Sequence, residues 1–453
     1  MDTKKITQED FDYIIIGGGI VGAGIFRDLS LHGKKVLLLE REDFASQTSQ
    51  GSSKMLHGGI RYLENLDFGL VFEALKEKNL WIKLAPNLAK EVPFYLPVYK
   101  ESKWPLFFLR IGLFIYDLLS LFKNTSFKTL NKHETLTHIP GLKSKHLSGS
   151  GIYYDGIIDD AKLALNCILD AKADHAHALN YMHVKKVEDK GSFQAVYASD
   201  KFSNEEFQFY GKEIIFATGP FTDQVMKDLE IPWTPVILPS KGTHLWVKKE
   251  SLPIKNAMVL QTKDQRIIFV IPQRDAILVG TTEIPLDANQ SFLNIKPTQE
   301  EIDYLLKNLK EYFPNTSISR DIIISSFAAV RPLVKEANTS SKTSRKHKIY
   351  SPKKNIHVIV GGKYTTFRRM AQDLCKRLLG NEYNSKLSLN PLKSISLVNN
   401  PTQTIINTSL LKKIIDTEQP KTIDDLIIRR LSYLDISEVD DITLEAIKKL
   451  ELN

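Results

Sequence analysis

Apolar and polar positions alternate on three different periods along this chain. Tyr13 to Ile16, Val36 to Leu39, Glu213 to Phe216 and Ile356 to Val360 are short, nearly unbroken apolar runs. Runs of that kind are strands buried on both faces, as in a parallel sheet. Ala23 to Leu31 lies between the first two runs and reads as a helix, giving strand, turn, helix, strand. Period-two segments surround Ala195 and Phe207 and read as a hairpin. From Pro235 to Pro285 the pattern is antiparallel, with strands at His244–Val247, Ala257–Thr262, Arg266–Ile271 and Ala276–Gly280. Helical spacing marks Glu64 to Ala85, through Leu66, Leu70, Leu75 and Leu80. It also marks Ala161 to Ala173, capped by Asp159 or Asp160, and the stretch after Thr298. There Glu301 completes a capping box, and Ile302, Leu305, Leu306, Leu309 and Phe313 form one face before Pro314 stops it. Val92 to Tyr99 reads as a proline-punctuated edge strand, and Tyr153 to Gly156 as a turn. Lys335 to Lys348 reads as a basic, hydroxyl-rich loop. Pro391 to Pro401 reads as a linker, and 404–452 as short helices.

The turn after Ile16 carries the clearest chemistry. Gly17 to Gly22 fits G-x-G-x-x-G between a strand and a helix. Gly17 permits the tight turn, Gly19 lets backbone approach a pyrophosphate, and Gly22 lets helix and sheet pack closely. The helix N-terminus favours phosphates. Glu40 ends the second strand eighteen residues after Gly22, where an acid accepts ribose hydroxyls. A hydroxyl-rich loop follows, with Thr48, Ser49 and Ser53, and then Lys54, His57, Gly58, Arg61 and Tyr62. It concentrates donors and glycines beside the expected nucleotide, and Arg61 can fork onto a phosphate or carboxylate. Two later strand ends repeat the small-residue theme: Ala217 to Gly219, and Gly361-Gly362-Lys363 leading to Thr365 and Thr366. The fold class expected is α/β, a Rossmann-like domain with an inserted antiparallel-sheet cap and a short C-terminal helical region.

The 453 residues allow two or three domains. Cys167 and Cys375 are the only cysteines, so no disulfide scaffold or Cys-rich metal site is available. His175, His177 and His183 lack a completing ligand and read as a surface cluster rather than a metal site. The opening MDTKKITQED is polar and reads as no secretory signal. A net charge of +8 permits attraction to anionic headgroups or a phosphate. It is too diffuse for nucleic acid, and no nucleic-acid motif is present. Trp104 to Phe122 is the most apolar stretch. Lys103, Arg110 and Asp117 stand seven apart and should form one polar stripe. That helix is either buried in the core or lies in a bilayer interface.

DYIIIGGGIVGAG, SSKMLHGGIRYLE, VPFYLPVY, SGSGIYYDGIIDDAKL, IIFATGPFTD, SKGTHLWV, IPQRDAILVGTTE, AAVRPLV, SRKHKI and GGKYTTFRRMAQD occur in that order. With them the chain resembles the FAD-dependent, quinone-linked glycerol-3-phosphate dehydrogenases of the D-amino-acid-oxidase-like flavoproteins. The resemblance implies FAD as cofactor and hydride transfer from C2 of sn-glycerol 3-phosphate to flavin N5. Dihydroxyacetone phosphate is the implied product and a membrane quinone the acceptor. It makes Arg331 and Arg345 phosphate ligands, with Arg61, Tyr62 and Lys363 beside them, and Lys363 near the flavin or the phosphate. The base is His57 or His244. It further implies a cytoplasmic protein peripherally attached to the inner face of the membrane, and leaves a homodimer open. The expected division is 1–93, 150–234 and 345–384 for the FAD domain. A cap and apolar-helix insertion fills 94–149, the substrate cap 235–344 and the helical region 385–453. Two rivals stand beside this reading. One is an amine or 2-hydroxyacid oxidase using Arg61 for a carboxylate. The other is a flavin-binding RNA protein, suggested by the pI near 9.

Overall fold

The computed structural model describes residues 3–336, 339–344, 346–393, 397–398, 404, 406–450 and 452. Two sheets organise them. In the first, the Asp10–Ile16 strand lies between Val36–Leu39 and Glu206–Phe216, parallel to both. Ile356–Gly361 extends the parallel set beside Glu206–Phe216, and Ala176–Leu179 extends it beside Val36–Leu39. Three of these runs, Ile14, Ile15, Leu37, Leu38, Ile214 and Ile215 among them, are fully buried. Burial on both faces is why they show no period-two alternation. Gln194–Asp200 pairs antiparallel with the first half of Glu206–Phe216, the hairpin the alternation predicts. The Ile20–Leu31, Asp160–Ala171 and Phe367–Leu379 helices pack together on one face through a shared core.

The second sheet is antiparallel apart from one pair, and forms the cap. Its long strands are Ile237–Lys248 and Ile323–Glu336, paired from Ile237–Val334 to Val247–Ile323. Ala276–Gly280, Ile267–Gln273 and Ala257–Gln261 continue it. The helix Gln299–Tyr312 covers this sheet, and both halves of the Thr298–Glu301 capping box are present.

Several expectations change. Val92–Tyr99 is no edge. The whole Ala89–Tyr99 strand pairs with Leu147–Ile158, and its other flank meets Ala257 and Met258 at Phe94 and Tyr95. Pro93 and Pro97 lie outside those two positions, so no donor is missed there. Tyr153–Gly156 lies within the Leu147–Ile158 strand instead of turning. Both strands belong to the cap sheet along their full length, so boundaries at 93/94 and 149/150 each cut through a strand. The helix expected from Glu64 starts at Phe68, because Leu66 is left-handed at φ +57 and Asp67 caps Leu70. The backbone of the basic 335–348 stretch is largely strand, with Thr339–Ser344 folding back on Ile323–Glu336.

The Leu106–Leu119 helix breaks the expected polar stripe. Lys103 precedes it, and Asp117 is buried, accepting the Phe127 amide at 2.8 Å. Its outer face is largely apolar, with Phe107 69% and Phe114 51% exposed and Phe108, Ile111 and Leu118 beside them, and exposed Arg110 is its one charge. At fourteen residues it spans roughly 21 Å, short of a bilayer core. Among the described residues no helix is long and apolar enough to cross a membrane.

Candidate active site

A cavity of about 520 Å³ opens between the two sheets, where the parallel strands end. Sequence dictates its floor. Gly17 has φ +111, and a Cβ there would meet the Ala217 carbonyl at 2.6 Å; one on Gly22 would meet the Gly17 carbonyl at 1.9 Å. Both glycines are therefore required by the turn itself. A Cβ on Gly19 would meet only Ser49 Oγ, at 3.1 Å, so backbone is laid open to the cavity there. Gly19 is also the N-cap of the Ile20–Leu31 helix and has no side chain of its own to cap it; of the first-turn amides, that of Ile20 is taken by Ser49 Oγ at 2.8 Å. Glu40 accepts the Gly18 amide on one oxygen (2.6 Å) and the Glu42 amide on the other (2.8 Å). Burial pushes its carboxyl pKa up. Each oxygen keeps a lone pair for a ribose hydroxyl. An open glycine turn at a helix N-terminus, for the pyrophosphate, and a strand-end acid, for the ribose hydroxyls, are what a dinucleotide needs, and the residues fit FAD.

The 46–53 loop forms one wall. Ser49 Oγ accepts the Ile20 amide at 2.8 Å, and Thr48 Oγ1 donates to the Val330 carbonyl at 2.8 Å. Ser53 Oγ lies 2.9 Å from His244 Nε2. Ala217, Gly219, Gly362, Lys363 and Thr365 line the cavity from the other strand ends. Thr365 Oγ1 accepts the His57 amide at 3.1 Å, which joins the two motifs that carry them.

On the cap side, Arg331 donates from Nη2 to Thr281 Oγ1 at 2.9 Å. A Cβ on Gly242 would come within 2.9 Å of the same Nη2 and 2.7 Å of Thr281 Oγ1, so the missing side chain makes room for the guanidinium. His244 is buried, stacked on Phe327 at 5.0 Å. Burial, and then Arg331 and Lys54, hold its pKa well below the ordinary value, so the ring is neutral. Lys363 Nζ stands 3.9 Å from the Tyr62 ring centroid, and Arg61 is exposed on the cavity wall.

Four expected cofactor residues do not line the cavity. Gly22 only packs the turn. Lys54 turns away to Asp160 Oδ1 at 2.5 Å, because a lysine this buried needs a charged partner. Gly58 is a packing position, where a Cβ would meet Tyr116 Oη at 2.4 Å. Thr366 bonds the Lys363 carbonyl at 3.3 Å. Tyr364, between them, lines the cavity instead. Arg345 lies outside the described residues. Reasoning from sequence missed Gly242 and Thr281, although a glycine inside a strand signals close approach. It also missed Asp43 and Asp155 on the cavity wall, and His183, read as surface, whose pKa burial, Lys185 and Arg41 bring down to about 4.

The fold and this cavity define a dinucleotide-dependent oxidoreductase with a separate substrate cap. The chain belongs to the DAO family of FAD dependent oxidoreductases, whose profile matches residues 12–365, and its cofactor is FAD. It is similar to the aerobic glycerol-3-phosphate dehydrogenase of Staphylococcus saprophyticus, 34% identical over 404 residues, covering 87% of this chain and 72% of that one. The enzyme of that name from Staphylococcus aureus strain USA300 is 33% identical over 452 residues, covering 97% and 80%. The glycerol-3-phosphate dehydrogenase of Bacillus halodurans, solved with FAD, superposes with a TM-score of 0.76 at 24% identity, over 98% of this chain and 90% of that one. Glycine oxidase from Geobacillus kaustophilus shares the fold at a TM-score of 0.63 and 17% identity, over 85% and 98%.

Proposed function

We propose that this chain oxidises sn-glycerol 3-phosphate at C2 to dihydroxyacetone phosphate and delivers the electrons to a membrane quinone. The observation that carries the reading is that Arg61, Arg331 and Lys363 all line the cavity that also holds a dinucleotide turn. A phosphate dianion needs several charge-assisted hydrogen bonds to offset its desolvation. An amine or 2-hydroxyacid oxidase needs one forked guanidinium, and three cations exceed what a single carboxylate neutralises. The names of the similar proteins support the same substrate.

FAD, when bound, supplies the two-electron acceptor for the C2–H bond. Arg331, set by Thr281 and given room by Gly242, anchors the phosphate. Binding energy at that remote group orients C2. A base must take the C2 hydroxyl proton as the carbonyl forms. His57 suits that role better than His244, since a proton on His244 would be buried beside Arg331 and Lys54.

The membrane part of the reading rests on the outer face of the Leu106–Leu119 helix. Its exposed phenylalanines are joined by exposed Phe122, with Arg110 and Lys123 among them. An apolar face interleaved with cations suits an anionic bilayer surface, where a quinone would be reached. Flotation with anionic vesicles should carry the protein up, and Phe107→Ser with Phe108→Ser should leave it at the bottom. Equal flotation of both would remove this face from the reading. The substrate is tested by anaerobic stopped-flow bleaching of flavin absorbance. Glycerol 3-phosphate should bleach it fast, glycerol and 2-hydroxyacids slowly. Faster bleaching by a 2-hydroxyacid would overturn the proposal.

A further inference from the structure

The C-terminal helical region is joined to the cofactor loop by a buried ionic knot. Asp43 stands at the head of the 41–53 loop, 1% exposed, and lines the cavity. Two residues on, the Ala45 amide donates to the Gly18 carbonyl at 3.0 Å inside the dinucleotide turn itself. Asp43 Oδ2 accepts Arg429 Nε at 2.6 Å and also Arg430 Nη1. Its Oδ1 accepts Arg430 Nη2 at 2.9 Å and Asn180 Nδ2 at 2.8 Å. Arg429 reaches farther along the same loop, to Gln50 Oε1 at 3.2 Å, and its third nitrogen meets Asp425. Asp425 in turn accepts the Tyr181 hydroxyl at 2.8 Å. Two guanidiniums and two carboxylates balance, which is what allows Arg430 to be fully buried.

The same short segment also grips the cap. Arg274, in a cap-sheet turn, donates to the Ser432 carbonyl at 2.6 Å, and Ser325, on a cap strand, to the Leu434 carbonyl at 3.0 Å. One stretch, Asp425 to Leu434, therefore touches both the cofactor loop and the cap.

We propose that Asp425–Leu434 is a strap that holds the 41–53 loop in its FAD-binding position, with Arg429 and Arg430 as positioning residues for the cofactor acting through Asp43. Neither arginine lines the cavity. Their effect falls on how long FAD stays bound. Coupling between two sites is reciprocal, so FAD must also steady the strap.

The test uses the full chain, stripped of FAD and reconstituted. Arg430→Met and Asp43→Asn should each raise the FAD dissociation constant, read by flavin fluorescence, at least tenfold. Arg429→Lys keeps the charge but cannot reach Asp43 and Gln50 together, and should give a smaller rise. It is the variant to rely on if the others fail to fold. Hydrogen exchange adds a readout that general destabilisation would not produce. FAD added to the stripped wild type should slow exchange in 425–434 as well as in 41–53. In Arg429→Lys the slowing at 425–434 should shrink while that at 41–53 remains. Unchanged FAD affinity in a folded Arg429→Lys protein, or no slowing at 425–434 in the wild type, would overturn the strap.

Discussion

Ser53 Oγ and His244 Nε2 stand 2.9 Å apart, and that contact ties the 46–53 loop to the long Ile237–Lys248 strand of the cap. Among the described residues His244 Nδ1 meets no hydrogen-bond partner, so Ser53 is the ring's polar tether, with Phe327 holding its face. A net hydrogen bond contributes about 0.5–1.5 kcal/mol, or roughly 2- to 10-fold in a rate. Ser53→Ala and His244→Phe should each lower kcat/KM for glycerol 3-phosphate by about that much. The double variant should lose no more than the worse single one, because both remove the same contact. Steady-state kinetics on the three proteins checks this; additive losses would show two independent roles.

Gly19 and Gly22 belong to one motif but carry different loads. A side chain at Gly19 meets only Ser49 Oγ, whereas one at Gly22 runs into the Gly17 carbonyl. Gly19→Val should therefore fold, with a Tm near that of the stripped wild type, yet purify without flavin absorbance. Gly22→Ala should lose thermal stability with or without FAD, because backbone must shift to admit even a methyl. Full FAD retention by Gly19→Val would exclude the pyrophosphate from this turn.

The nucleotide half of the molecule was legible in the chain alone because its signals are local. An unbroken apolar run, three glycines and a strand-end acid fall within Tyr13 to Glu40, and each has a role that elementary chemistry assigns without knowledge of the rest of the fold. The capping box at Thr298 was readable for the same reason. The cap was harder, because its strand pairing is set at a distance. Tyr153–Gly156 has a turn's composition, yet pairing with Glu91 to Phe94 on the neighbouring strand holds it extended. Lys54 looked like a cofactor donor, but Asp160, more than a hundred residues away, claims it. Asp43 and Arg430 are separated by 387 positions, and nothing in either neighbourhood signals the other. The resemblance read from the motifs supplied Arg331 where spacing could not.

Asp155 gives a pH prediction. It is buried, with the Tyr116 hydroxyl on both oxygens, the Gly58 amide at 3.3 Å and Lys78 Nζ at 4.0 Å; Tyr153 and Glu91 also act on it. Burial raises its pKa from 3.8 to about 7, and Lys78 only partly opposes this. A carboxyl raised in the folded state stabilises the fold below its unfolded pKa and loses that contribution as pH rises through the folded one. Wild-type stability should therefore fall relative to Asp155→Asn between pH 4 and 7. The Tm difference, variant minus wild type, should rise by on the order of 1–2 °C from pH 5 to pH 8. A flat difference would mean that Lys78 keeps Asp155 charged throughout.

The phosphate role proposed for Arg331 separates into charge and position, and two substitutions read them apart. Arg331→Met removes the cation, which should cost about 2–5 kcal/mol of transition-state binding where the pair is buried. The loss should fall on kcat/KM for glycerol 3-phosphate and spare the slow reaction of glycerol, because only the phosphorylated substrate uses the anchor to orient C2. Arg331→Lys should recover part, since an ammonium cannot fork onto two oxygens. Gly242→Ala keeps the guanidinium but fills its space, with a methyl 2.9 Å from Nη2 and 2.7 Å from Thr281 Oγ1. The charge stays and the geometry goes, so its loss should lie between wild type and Arg331→Met and be equally specific for the phosphorylated substrate. If glycerol and glycerol 3-phosphate lose equally in Arg331→Met, the phosphate is held elsewhere and Arg331 serves the cap strand. If Gly242→Ala matches wild type, the charge alone suffices and the setting of Arg331 by Thr281 has no part in catalysis.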